Sequence, residues 1–332
     1  EPLKAAALVT VAFACVSGLL LGYDIGITNG VLHPIRSHFD LSHRGQELFA
    51  GFLNLWSTFG CFVASYFCEW FGRRGAIAIG ALSFLIGNLL MTFAMSFEEL
   101  IIGRGFAGFA VGITLVTEPL YTAETSPALL RGMLSTNVEV SFNIGILLGF
   151  SASWALGGLP DAISWRYMLG ICLIAPILSL LGVIFVLPES PRWLASRGRH
   201  SEAEAALHWL LGPEEAARTA RLLRDHAEAA PAEPVLTWRQ FWTCAETRWL
   251  VGLGGGVTFF SQATGIESIM YYSSVILERA GFTRNHMLLG MVVLGVFKLL
   301  GILVQGALVD SYGRRPMLLT SSIGMAASMM VL

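Results

Sequence analysis

The sequence predicts an all-α membrane protein made of two related helical lobes, and three observations carry that prediction. Hydrophobic residues make up 55% of the 332, and charged residues only 13%, about half the roughly 25% usual in soluble domains. Apolar runs recur at the length a bilayer-crossing helix needs, about twenty residues. One turn, acid-x-x-Gly-Arg-Arg, occurs twice, as Glu69-Trp70-Phe71-Gly72-Arg73-Arg74 and as Asp310-Ser311-Tyr312-Gly313-Arg314-Arg315.

Taken in order, the runs fall at about 5–30, 47–68, 75–96, 100–121, 132–156, 166–187, 249–277, 286–309 and 316–332, which predicts nine spans. The first run is too long for a cleavable signal and carries Asp24, so it reads as a span. Between Pro188 and about Thr247 the composition turns polar, with an amphipathic pattern from Ser201 onward. The predicted division is a six-helix lobe over 1–187, a cytoplasmic helical linker over 188–247, and a partial second lobe of three helices over 248–332. Each copy of the repeated turn follows the second helix of its lobe, the mark of parallel halves related about the membrane normal.

Arginine placement predicts the orientation. Loops after the even-numbered spans hold Arg73, Arg74, Arg131, Arg192, Arg314 and Arg315, with Arg197 and Arg199 in the linker. By the positive-inside rule those loops and the N-terminus are cytoplasmic. The net charge of -2 comes with no basic patch to neutralise phosphates, so nucleic acid is excluded. Cys15, Cys61, Cys68 and Cys172 lie in or beside apolar runs and Cys244 lies in the linker. Neither a metal set nor a disulfide framework follows from that spacing. With no nucleophile–base constellation either, an enzyme is not expected.

The stretch from Gly103 to Gly132 concentrates the chemistry. Arg104 stands at one end of an apolar run, Glu118 and Glu124 at the other. An arginine at membrane depth is costly unless it meets a partner, water or the interface. Asp24 in the first span is the expected partner. Gly108 and Gly112 offer a small-xxx-small face for close helix packing, and Pro119 permits a bend. Gly103-x-Gly105-x-x-Gly108 also matches a dinucleotide fingerprint, but no strand precedes it, and that mechanism needs a strand, a turn and a helix.

Taken together, these residues resemble the sugar porter branch of the major facilitator superfamily. The likeness runs through nearly the whole chain. Besides the repeated turn it covers Gly103-Arg104, Pro119-Leu120-Tyr121-Thr122-Ala123-Glu124, Arg131-Gly132, Pro188-Glu189-Ser190-Pro191-Arg192-Trp193, and Gln262-Ala263-Thr264-Gly265-Ile266 followed by Tyr271-Tyr272. Glu139, Asn143-Ile144-Gly145-Ile146, Glu267 and Lys298 resemble the plant-type polyol/monosaccharide:proton symporters. The resemblance implies twelve helices in two lobes, of which this chain carries about nine, and a sugar or polyol site between the lobes worked by alternating access. It implies Glu139, Gln262, Glu267, Tyr271, Tyr272 and Lys298 as substrate-binding residues, and Asp24 with Arg104 as the proton-coupling pair. Arg73, Arg74, Glu124, Arg131, Glu189, Arg192, Asp310, Arg314 and Arg315 are implied as a cytoplasmic lattice of gate charges. Ser261 stands where the family usually has a first glutamine, and Glu267 where many glucose carriers have asparagine.

Lys298 lies mid-span, too far from either end to snorkel, so Glu267 on the neighbouring span is its expected partner. The implied protein is a monomer in the plasma membrane, with a sugar or polyol as its partner and no cofactor besides a coupling proton. A facilitative hexose uniporter and a non-transporting sugar receptor are the alternatives.

Overall fold

The computed structural model describes residues 2–125, 131–213, 216–221 and 242–331. Every regular element among them is helical: α1 (Pro2–Phe39), α2 (His43–Trp70), α3 (Gly72–Thr92), α4 (Phe97–Thr125), α5 (Arg131–Leu156), α6 (Asp161–Ile171), α7 (Ile174–Phe185), α8 (Pro191–Ser196), α9 (His200–Leu211), α10 (Ala245–Ala263), α11 (Ile266–Arg279), α12 (Arg284–Tyr312) and α13 (Arg314–Val331). Seven described stretches are long and apolar enough to cross a bilayer, with α6 and α7 counting as one.

α1 is the axis of the first lobe. It lies against α5 along a row of glycines, where a methyl group has no room. A Cβ on Gly22 would fall 1.8 Å from the Phe142 carbonyl oxygen, and one on Gly145 would fall 2.2 Å from that of Leu19. The expected small-residue face of α4 does the same work against α2. A Cβ on Gly108 would sit 2.4 Å from the Leu53 carbonyl oxygen, and one on Gly112 2.1 Å from that of Ser57. In a bilayer there is little hydrophobic drive between helices, so this close approach is what holds them together. α4 runs through Pro119 to Thr125 as one helix. The glycines of the fingerprint lie in its interior, in packing contacts, and not in a strand-to-helix turn.

Two expected spans are broken. The sixth divides into α6 and α7 at Cys172–Leu173. Pro176 has no N–H to give to the Cys172 carbonyl, and the Asn88 amide donates to it instead at 3.3 Å. One turn earlier the Tyr23 hydroxyl donates to the Met168 carbonyl at 3.2 Å. Neighbouring side chains thus satisfy backbone that lipid could not. The seventh span divides at Gly265, which takes φ 74° in the left-handed region.

The repeated turn is built alike in both places. Gly72 and Gly313 adopt φ 79° and 83°, a conformation in which glycine is strongly favoured. The two turns lie at the same end of the bundle, the basic face; the other end is the far face. The second lobe meets the first toward the far face, where Ile146 and Phe150 of α5 pack with Met270 of α11 and Met287, Leu288 and Met291 of α12.

Candidate functional site

Arg104 is fully buried and Asp24 nearly so, at 0% and 2% exposure. One guanidinium nitrogen donates to both Asp24 carboxylate oxygens, at 2.8 and 3.0 Å. A second donates to the Thr28 hydroxyl at 2.5 Å, and Nε donates to the Phe49 carbonyl at 3.3 Å. The Phe49 ring lies 4.6 Å from the guanidinium carbon. Bare, each of these charges would cost several kcal/mol at this depth. Paired and hydrogen-bonded, they tie α1 to α4.

A polar lattice lies at the basic face. Arg73 pairs with Glu124 at 2.8 Å, and the Ser190 hydroxyl donates to the other Glu124 oxygen at 2.5 Å. The Glu189 carboxylate accepts from the backbone N–H groups of Arg73 at 2.9 Å, Arg74 at 3.1 Å and Ser190 at 2.8 Å. Burial pushes its carboxyl above the ordinary range, against those three N–H groups, which pull it down. A Cβ on Gly72 would stand 2.3 Å from that carboxylate, so the repeated glycine serves both the turn and the approach. Arg74 donates to the Val183 and Ile184 carbonyls at 2.6 and 2.9 Å, capping the end of α7. Trp193 and Arg197 both donate to the Glu69 carbonyl.

Two of the expected gate charges stand apart from this lattice. Arg192 is exposed, because α8 turns Pro191 and Leu194 inward and leaves Arg192 on its solvent side. Arg315 is exposed as well, on a helix whose described side chains are nearly all exposed. The side chains of Arg131, Asp310 and Arg314 lie outside the described residues.

Of the expected sugar ligands, Glu139 and Gln262 are exposed, on α5 and at the end of α10. Tyr272 is 41% exposed. Lys298 is half-buried in the middle of α12, with its ammonium 5.6 Å from the centre of the Phe142 ring. Phe142 is three residues beyond Glu139, which places both on one side of α5. The side chains of Glu267 and Tyr271 lie outside the described residues, and with them the expected Glu267–Lys298 pair.

Sequence reasoning missed the polar contacts between the lobes. The Asn29 amide donates to the Met270 carbonyl at 2.7 Å, and its oxygen accepts from Ser273 and Ser274 at 3.4 and 3.3 Å. Nearby, Arg284 of α12 pairs with Asp161 of α6 at 2.9 Å, and His33 stands 3.9 Å from the same carboxylate. The available signal was slight: one asparagine in an apolar run and two serines after the tyrosine pair.

The helices, the repeated glycine turn and the buried charge pair define a membrane transporter fold of the major facilitator type, and comparison with known proteins agrees. The proton:xylose symporter XylE of E. coli, bound to 6-bromo-6-deoxy-D-glucose, superposes with a TM-score of 0.79 at 25% identity over 95% of this chain and 71% of its own. Its inward open conformation superposes at 0.76 and 23% identity, over 98% and 74%. Residues 10–332 match the model of the family described as sugar (and other) transporter, and the chain belongs to that family. It is 36% identical to the putative polyol transporter 2 of Arabidopsis thaliana, over 97% of this chain and 67% of that protein. It is 36% identical to the probable polyol transporter 4 of the same plant, over 94% and 60%. It is 34% identical to the galactose-proton symporter of Escherichia coli K12, over 96% and 68%. The chain thus spans about two thirds of the length of these relatives.

Proposed function

We propose that the protein carries a monosaccharide or linear polyol across the plasma membrane by alternating access, in symport with a proton. In this reading it is a monomer in the bilayer with a cytoplasmic N-terminus, no enzymatic activity and no bound cofactor. The basic face is then cytoplasmic and the far face extracellular. The described contacts between the lobes cluster toward the far face, so this is the state closed to the outside.

The observation that carries the reading is the buried pair of Asp24 on α1 with Arg104 on α4. Protonating Asp24 removes the charge that Arg104 is bound to, and α1 also carries Asn29, which holds the second lobe. Five residues separate Asp24 from Asn29, about 7.5 Å along a helix. One rigid element therefore bears both the proton site and a contact that must break when the outside opens. Substrate would lie between α5 and the second lobe, where Glu139, Gln262, Glu267 and Lys298 supply acceptors and donors for hydroxyls, with Tyr271 and Tyr272 at the outer side. Glu267 and Lys298 form an ion pair there in this proposal.

The test is uptake by the full-length transporter in vesicles, with hexoses and linear polyols, with and without a pH gradient. Asp24→Asn is expected to abolish accumulation against a gradient while exchange of substrate continues. Accumulation by that variant would refute the coupling role. Uphill uptake absent in the native protein would leave a uniporter, and binding without flux would leave a receptor.

A further inference from the structure

Glu118 has no part in the site described so far. It lies seven residues before the end of α4, only 6% exposed, with the Ser17 hydroxyl of α1 as its hydrogen-bond partner. No ion pair joins it to a cation among the described residues. Two small cavities lie against it. One is bounded by Ser17, Tyr121, Thr122 and Ser179, the other by Ser17, Thr114 and Ser179. Each has about 10 Å³ of interior space, room for a single water at most. The remaining walls are apolar: Phe13 and Leu20 of α1, Ile77, Ala81 and Phe84 of α3, and Pro176 of α7. Apart from Glu118, the one titratable group lining either cavity is Tyr121, and its hydroxyl is committed to the Pro188 carbonyl at 2.8 Å.

A carboxylate held this way, with hydroxyls around it and no cation, is suited to carry a proton. The space is too small for a hydrated metal ion. Its position gives the proton somewhere to go. Ser17 and Asp24 are seven residues apart on α1, about 10 Å, and Glu118 and Glu124 are six apart on α4, about 9 Å. Both steps run toward the basic face. Asp24, Glu118 and Glu124 therefore form a line of carboxylates from the buried pair to the lattice.

We propose that Glu118 is a second proton-carrying site of the first lobe, protonated at rest, through which protons pass between Asp24 and the basic face. The proposal rests on the symport reading. The exchange is balanced at each step. The O–H bond of Glu118 breaks as a cavity water takes its proton toward Glu124. A proton leaving the Asp24 carboxyl, again through water, then forms a new O–H bond on Glu118, and Asp24 returns to its pairing with Arg104. The five serine, threonine and tyrosine hydroxyls around the two cavities need not titrate for this to work; they orient the water and the acid.

The experiment is infrared spectroscopy of the full-length transporter in lipid, paired with flux. A carboxylic acid C=O band should be present at neutral pH, vanish in Glu118→Gln and survive in Asp24→Asn. Ser17→Ala should shift that band by removing its hydrogen bond, a response that serves even where the glutamine variant folds poorly. In Glu118→Gln the ratio of proton-driven uptake to substrate exchange should fall at least about a hundredfold, the low end of what a positioned proton-transfer group contributes. No band assignable to Glu118 would overturn the proposal, as would a band abolished by sodium at constant pH. An unchanged ratio in Glu118→Gln would refute the relay. If the native protein shows no proton-driven uptake, the symport reading and the relay fall together, whereas failure of the Glu118 band alone leaves symport standing.

Discussion

Replacing Asn29 with alanine tests how the far face is kept closed. The substitution deletes one good hydrogen bond, 2.7 Å to the Met270 carbonyl, and two long ones from Ser273 and Ser274. It leaves no orphan at Met270, because the single Ser273 hydroxyl hydrogen, freed from Asn29, turns wholly to that carbonyl 3.1 Å away. A net hydrogen bond is worth about 0.5–1.5 kcal/mol, and the long pair lies at the low end, so the closed state loses about 1–2 kcal/mol. That is roughly a 5- to 30-fold shift in population toward a state open at the far face. The apolar seal survives, since Phe150 and Met291 are both fully buried, so the variant should populate both states. Spin labels at Arg44 and Arg279, both exposed toward the far face, report the separation of the lobes in the full-length protein. The expected distance distribution gains a longer component in Asn29→Ala, and Arg284→Ala adds a smaller one, because that pair is part-exposed and worth about 0–1 kcal/mol. A distribution identical to the native one would refute the latch.

Gly72→Ala should destabilise the protein by at least about 1–2 kcal/mol, from left-handed backbone strain alone, with displacement of Glu189 added; thermal unfolding in detergent measures it, and an unchanged midpoint would contradict the turn as described. Glu189→Gln should be far better tolerated than Glu189→Ala, because the amide oxygen still accepts from the three N–H groups that alanine would leave bare. Since the folded carboxyl of Glu189 is raised, folding takes up a proton just above the ordinary carboxylate range. Stability from this group therefore falls as pH rises through that window, and Glu189→Gln should flatten this part of the pH profile. Alanine at Glu139 or Gln262 should raise the half-saturation constant for substrate with protein still in the membrane, and unchanged kinetics in both would remove them from the site.

Much of this was legible because a bilayer punishes exceptions. Among the described residues, seven of the nine expected runs are long and apolar enough to be spans, those at 249–277 and 316–332 being the exceptions, and Asp24 and Arg104 had to find partners, since neither could be left bare. The repeated glycine turn was legible because its acid and arginines kept their order. The break at Cys172 was not, because Pro176 alone does not say that Asn88 and Tyr23 will satisfy the freed carbonyls. Arg192 was assigned to the lattice by its place in a motif, yet local helix facing decides its environment, and α8 faces it outward. Asn29 carried no charge, so nothing in the sequence demanded a partner for it.

The functional parts gather on α1 because a helix distributes residues by angle. At about 100° per residue, seven residues return to within roughly 20° of the same face, and four to within roughly 40°. Ser17, Asp24 and Thr28 therefore share the side that meets α4, and two of them touch Arg104 while the third holds Glu118. Gly18, Gly22, Gly26 and Gly30 follow a four-residue row against α5, each with backbone or a side chain where a Cβ would go. Asn29, about 140° around from Asp24, reaches the second lobe. Because the glycine row clamps α1 to α5 without slack, a shift caused by releasing Arg104 is not easily absorbed by local sliding. It must move α1 and α5 together, and both helices contact the second lobe on the far face.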